Sequence, residues 1–176
     1  FITSGQSVIP GVILKEYQDN FIQKPIEKRY DNAMWIWSQP VLNKRYILSA
    51  DVARGDGADY SAFHVLDLET LEQVAEYKSK EGTTRFAGIL MSVATEYNDA
   101  LMVVENNNVG WAVLQIIIDR DYRNLFWMKK DLRYVDVNRQ YTNKYKNENK
   151  QMVPGFTTSL KSRPLIIEKL AHFVRE

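Results

Sequence analysis

From Arg45 onward the apolar residues fall into short dense runs separated by turn residues, and the period of the pattern changes from run to run. Tyr46-Ile47-Leu48-Ser49-Ala50 reads as a buried strand that ends at Asp51. A glycine-rich loop follows, Arg54-Gly55-Asp56-Gly57-Ala58-Asp59. Two strand-like runs, Ser61 to Leu68 and Leu71 to Lys78, are separated only by Glu69-Thr70, which predicts a hairpin. Thr84 is then expected to cap a helix whose stripe is Phe86, Ile89, Leu90, Val93, Ala94 and Tyr97. Ala100 to Val104 reads as a further buried strand, ending at Glu105. Residues 109–121 are apolar nearly all round, the pattern of a buried helix, with Trp111 in its core. Leu125 to Met128 is a fifth strand, and a last helix starts near Ser162-Arg163-Pro164, where proline is tolerated in the first turn.

The N-terminal stretch is less regular. Residues 1–40 read as an irregular lead-in, with turn signals at Ser4-Gly5 and Pro10-Gly11 and a short helix over Val12 to Asn20. Met34-Trp35-Ile36-Trp37 is too aromatic for a free linker and is expected to pack on the core. The domain organisation expected is therefore a lead-in over 1–40 and a main domain over 41–176.

Three sequential antiparallel strands followed by helix-linked strands is the order of an RNase H-like α/β fold, a mixed five-stranded sheet flanked by helices. In that arrangement the first and fourth strands lie side by side and run parallel. Asp51 and Glu105 close those two strands, and residues ending neighbouring parallel strands share the sheet edge where α/β proteins bind ligands.

Composition narrows the chemistry. The chain has 176 residues, 45% of them apolar, enough for a real core. No run of about 18 apolar residues exists, so no membrane span is expected. There is no cysteine, which removes disulfides and thiolate metal sites. The net charge of +1 means that nucleic-acid binding must come from a local patch. Lys129, Lys130, Arg133, Arg139, Lys144, Lys146 and Lys150 form such a basic stretch, read as a hairpin or loop that either tracks a DNA backbone or is a solvated face.

Convergent carboxylates repel one another unless something positive lies between them. Mg²⁺ or Mn²⁺, hard ions that take oxygen ligands, would satisfy them. Two such ions roughly 4 Å apart can activate water and stabilise the leaving oxygen of a phosphodiester. Asp51 and Glu105 are the candidate catalytic and metal-binding acids, with Asp59 a third candidate ligand; a strand-end aspartate can also simply cap a turn, and Asp59 can be an ordinary turn residue. The amides of Asn106-Asn107-Asn108 would orient Glu105 or contact a phosphate, with Asn108 read as the helix N-cap. His64 and His172 are isolated and read as structural.

The motifs also resemble a known family. Tyr46 to Gly55 with Asp59-Tyr60-Ser61 is similar to the first catalytic motif of the nuclease domain of tailed-phage terminase large subunits, in their myovirus-type branch. Val103-Val104-Glu105-Asn106-Asn107 with Gly110 resembles the second motif. Gly155 to Ser159, then Lys161 to Ile167, resembles the segment near the end of that domain, and Phe1 to Pro10 resembles the junction after the family's ATPase domain.

The resemblance implies a metal-dependent endonuclease that cuts concatemeric double-stranded DNA during genome packaging in the cytoplasm of an infected bacterium. It implies as partners an ATPase domain of the same polypeptide, a small terminase subunit and the portal. Asp51 and Glu105 would be the first and second acids. The family's third acid lies in a late His-Asp-Asp type motif that these residues lack, so it is expected beyond Glu176, and the ATPase's Walker A loop is absent too. Two other readings stay open: an actin-like or sugar-kinase-like nucleotide-binding domain, whose Asp51 loop would cradle phosphates, and a non-catalytic module that docks DNA or the portal. Asp51 and Glu105 carboxylates more than about 8 Å apart, too far to share one ion, would favour the docking module.

Overall fold

A computed structural model describes residues 8–55, 57–129 and 152–175. The described elements are, in chain order, α1 (Gly11–Asn20), β1 (Glu27–Arg29), β2 (Met34–Ile36), β3 (Tyr46–Asp51), β4 (Ser61–Asp67), β5 (Gln73–Ser79), α2 (Thr83–Glu96), β6 (Leu101–Val104), α3 (Gly110–Asp119), β7 (Trp127–Lys129), β8 (Met152–Pro154) and α4 (Ser162–Arg175). The chain divides into two units, one of residues 25–157 and one of residues 1–24 with 158–176.

The larger unit is a mixed sheet of six strands in the order β1-β2-β5-β4-β3-β6. β3, β4 and β5 form an antiparallel meander, and β6 returns parallel to β3. This is the RNase H-like arrangement that the element order predicts. The sheet has six strands rather than five. Residues 27–36, read from sequence as irregular, form an edge hairpin that pairs β2 antiparallel to β5. Met34 and Ile36 are fully buried there, so the aromatic segment does pack on the core. The expected fifth strand touches the sheet only through a bridge from Leu125 to Met102, and its later part, β7, turns away to pair with β8.

Strand alternation explains the two faces. Tyr46, Leu48 and Ala50 of β3, Phe63 and Val65 of β4, and Tyr77 of β5 are buried. Phe86 of α2 packs its ring near those of Phe63 and Tyr77, at 6.3 and 6.0 Å between centroids, so α2 covers this face. Tyr46 meets Tyr97 edge to face at 5.1 Å, and the Tyr97 hydroxyl donates to the Ser38 carbonyl at 2.9 Å. α3 adds Val113, Leu114 and Ile117 to the same core. Alternate residues point the other way: Ser49 and Asp51 of β3, His64 of β4 and Lys78 of β5 are all exposed.

Two helix starts differ from the sequence expectation. α2 begins at Thr83 after Gly82, with no side-chain cap from Thr84. α3 is preceded by Val109 rather than capped by Asn108, whose φ of +49° makes it part of the turn leading in.

In the smaller unit α4 follows a reciprocal pairing of Ser159 and Ser162, each side-chain oxygen accepting from the other's backbone N–H at 3.0 and 2.8 Å. Arg175, in its last turn, donates to the Val8 carbonyl at 2.9 Å. α4 buries only Ala171 and leaves Leu165, Leu170 and Phe173 exposed.

Candidate metal centre

The parallel ladder between β3 and β6 pairs Ala50 with Val104, and the Glu105 N–H donates to the Ala50 carbonyl at 2.9 Å. One residue past that pair, each strand releases an acid: Asp51 from β3 and Glu105 from β6. Asp51 and Ser49 share one face, and Glu105 follows Leu101 and Val103 on the face opposite buried Met102 and Val104. The register therefore brings the two carboxyls to one face at one edge.

They lie close enough for Glu105 to act directly on the titration of Asp51. The pKa of Asp51 is raised from its ordinary value. Desolvation is the largest cause, the hydrogen bond and charge of Glu105 come next, and Asp59 adds a smaller repulsion. A hydrogen bond from the Val52 backbone acts in the opposite sense. Asp51 as a residue is exposed, yet its carboxyl group sits among enough protein atoms for desolvation to dominate.

Glu105 is oriented from its other side. Asn107 Nδ2 donates to Glu105 Oε1 at 3.1 Å, so this amide does what the sequence left as one of two options. Asn106 is buried and has a different task. Its Nδ2 donates to the Pro154 carbonyl at 2.9 Å and its Oδ1 accepts from the Thr157 hydroxyl at 2.9 Å. The Phe156 N–H donates to the Val104 carbonyl at 2.8 Å, extending the sheet beside Glu105. No local pattern marks the pairing of this strap, because Asn106 and its partners lie some fifty positions apart.

Two glycines hold the surroundings in place. Gly55, at φ +81°, lies where a Cβ would come within 2.3 Å of the Glu81 carbonyl oxygen, so the loop after Asp51 lies against the chain entering α2. Gly110 opens α3 directly on the backbone of Glu105, where a Cβ would lie 1.8 Å from the carbonyl oxygen.

Asp59 is exposed in the loop and close enough to Asp51 to raise its pKa. Among the described residues no group of three or more Asp, Glu or His side chains is arranged to hold a metal ion. The geometry is that of two acids with a third nearby. Lys129, at the end of β7, is exposed. Lys130, Arg133, Arg139, Lys144, Lys146 and Lys150, the rest of the expected basic stretch, lie outside the described residues. His64 is exposed on β4 with Nδ1 4.0 Å from Glu76, and Trp111 packs against the core as expected.

No family model matches the chain. Solved structures do match. One is the large terminase nuclease from thermophilic phage G20c with bound magnesium, at a TM-score of 0.64 and 18% identity, covering 98% of this chain and 71% of that one. The same nuclease with bound cobalt matches with the same figures, a TM-score of 0.64, 18% identity and coverage of 98% and 71%. With bound zinc it matches at a TM-score of 0.59 and 18% identity, over 89% of this chain and 72% of that one. No helix among the described residues is long and apolar enough to cross a membrane. The chain has the RNase H-like fold of phage large terminase nuclease domains.

Proposed function

We propose that this chain is a divalent-metal-dependent endodeoxyribonuclease domain that cuts double-stranded DNA during phage genome packaging, with Asp51 and Glu105 as its metal-binding acids. The observation that carries the reading is the meeting of those two carboxyls at the ends of adjacent parallel strands. Two neighbouring carboxyls repel each other when both are charged, and their oxygen donors fit Mg²⁺ or Mn²⁺, including a two-ion site. When bound, such a cation supplies the positive charge that polarises a phosphodiester and makes water a better nucleophile.

The chain's own residues do the rest. Asp51 and Glu105 hold the ligand oxygens at one edge, and Asn107 fixes the rotation of Glu105. Asp59 supplies additional negative charge and is a candidate further ligand. The terminase-like fold supports DNA as the substrate, and by the same reading the chain works with an ATPase domain, a small terminase subunit and a portal in the cytoplasm of an infected bacterium. The basic residues Lys129, Lys130, Arg133, Arg139, Lys144 and Lys146 are proposed to track the DNA backbone.

The β3–β6 register that ends both strands on an acid, with the influence of Glu105 on Asp51, favours a shared ion over a docking module with a vestigial site. It also disfavours an ATP-binding loop, because two adjacent carboxylates repel a polyphosphate in the absence of a metal.

Mn²⁺ binding, followed by loss of the free-ion electron paramagnetic resonance signal, tests the metal site. The chain is expected to take up Mn²⁺, with Asp51→Asn and Glu105→Gln each weakening uptake at least tenfold, and Mg²⁺ competing. Equal uptake by both variants would remove the assignment.

A further inference from the structure

On the same face of the sheet as Asp51, a tyrosine and two lysines form a cluster that the metal site does not use. Tyr60 stands just before β4 with 48% of its surface exposed. Lys78 Nζ lies 4.8 Å from the centre of its ring and Lys80 Nζ 5.1 Å from it. A tyrosine ring attracts ammonium groups through its negative π face, so Tyr60 gathers two charges that would otherwise repel each other.

Two acids flanking the lysines on β5 and just after it are engaged elsewhere, and Asp59, directly before Tyr60, forms no ion pair with either lysine. Glu76 accepts from Gln73 and lies beside His64, while Glu81 pairs with Arg85 and accepts from Ser79 and Tyr77. Among the described residues neither Lys78 nor Lys80 is in an ion pair. Both are exposed. Two ammoniums held together without a carboxylate partner are a site for anions.

The sheet register fixes where that site lies. Asp51 is directly opposite Ala62, and Ala62 is directly opposite Lys78. Directly opposed residues share a face, so Lys78 stands two strand spacings from Asp51, about 10 Å between backbones. A duplex spaces successive phosphates of one strand by about 3.4 Å along its axis, so a strand with one phosphate at the acids carries others to the lysines.

We propose that Tyr60, Lys78 and Lys80 form a phosphate-contact surface that holds the DNA backbone a few nucleotides from the bond cut at Asp51 and Glu105. The proposal takes its ligand from the nuclease reading above. Tyr60 is a positioning residue that acts through the two lysines. The surface contacts phosphate and carries no base specificity.

The test is equilibrium binding of a short fluorescent DNA duplex in EDTA, so that no metal contributes, across about 50 to 200 mM salt. Lys78→Ala/Lys80→Ala is expected to bind about tenfold more weakly at the low end, and to flatten the slope of log K against log salt by about 1.8, the value for two lost phosphate contacts. Tyr60→Ala should weaken binding about threefold, while Tyr60→Phe, which keeps the π face, should bind as the unaltered chain does. Lys28→Ala is the control. Lys28 also lies over a ring, 4.3 Å from that of Trp35, but on edge strand β1, four strands from β3. Its affinity and slope should not change.

Unaltered slope in the double lysine variant, an equal loss in Lys28→Ala, or no DNA binding by the chain would each overturn the proposal. Asp51→Asn separates the two readings. It should lose metal-dependent cutting and keep the salt slope, whereas the double lysine variant flattens the slope. DNA held through these lysines by a chain that never cuts in Mn²⁺ would sink the nuclease reading and leave this surface standing.

Discussion

Gly110 lies against the backbone of Glu105 so closely that a Cβ on it would come within 1.8 Å of the Glu105 carbonyl oxygen. The first residue of α3 and the acid at the end of β6 are thus held by one contact that only hydrogen at Cα allows. Gly110→Ala must move either the helix or the acid. It is expected to destabilise the chain by about 1–3 kcal/mol, the usual range for overpacking a tight site. It should also weaken Mn²⁺ binding, because the backbone that carries Glu105 shifts. Chemical denaturation and metal titration of the same variant check both parts. Gly88 offers a contrast, since a Cβ there meets nothing nearer than an Arg120 side-chain nitrogen at 3.8 Å, and Gly88→Ala should be neutral or better.

Asp51 gives a pH-dependent prediction. Its pKa is raised in the folded chain, first by desolvation and then by Glu105. The folded state therefore binds that proton more tightly than the unfolded state. The stability this contributes is full below the ordinary value of 3.8 and is lost as pH rises through the raised folded value. At neutral pH without metal, Asp51→Asn relieves the repulsion and should melt at a higher temperature than the unaltered chain. The gap should close as pH falls toward the ordinary aspartate range. Saturating Mn²⁺ should reverse the order, raising the melting temperature of the unaltered chain alone. Thermal melts over a pH series, with and without metal, give both comparisons.

Asn106 anchors the strap beside β6 through both ends of its amide. Asn106→Leu keeps the approximate volume and leaves the Pro154 carbonyl and the Thr157 hydroxyl without this partner. A loss of about 1–3 kcal/mol is expected from stranding buried polar groups. Amide hydrogen exchange should quicken at Phe156, whose N–H donates to Val104. Wild-type exchange at Phe156 in a variant that is otherwise folded would show that Asn106 does not hold the strap.

Much of this architecture is legible in the chain because its signals are local. The runs ending at Asp51 and Glu105 are short, apolar and bounded by turn residues, and the stripe from Phe86 to Tyr97 has helical period. The six strands of the sheet, against five expected, have a physical reason. β1 and β2 are three residues each, too short for alternation to register, and their hairpin is held to the sheet by the pairing of β2 with β5 far along the chain. β7 pairs with β8 across residues 130–151, so nothing in its own sequence marks its partner. Asn108 carries the residue type of a helix cap, but a tight turn takes it to positive φ and the helix begins two residues later.

The site divides in the same way. Asp51 and Glu105 are readable because strand ends and fold order locate them together. The amide of Asn107 is readable as a partner for Glu105 because the two are neighbours in sequence. The crowding at Gly110, the strap on Asn106 and the lysines around Tyr60 depend on tertiary contacts and sheet register, which no local pattern encodes. The basic stretch after Lys129 is plain in the sequence, and its placement falls outside the described residues.

Cleavage of supercoiled plasmid DNA tests the central claim most directly, with the unaltered chain, Asp51→Asn and Glu105→Gln compared in Mn²⁺ and in EDTA. The account predicts nicked and linear products from the unaltered chain in Mn²⁺ and none in EDTA. Each variant should lose at least about 100-fold in rate, the scale seen when one charge-stabilising group is removed from a reacting centre. Cutting by either variant at the rate of the unaltered chain, or cutting that persists in EDTA, would contradict a metal centre built on Asp51 and Glu105.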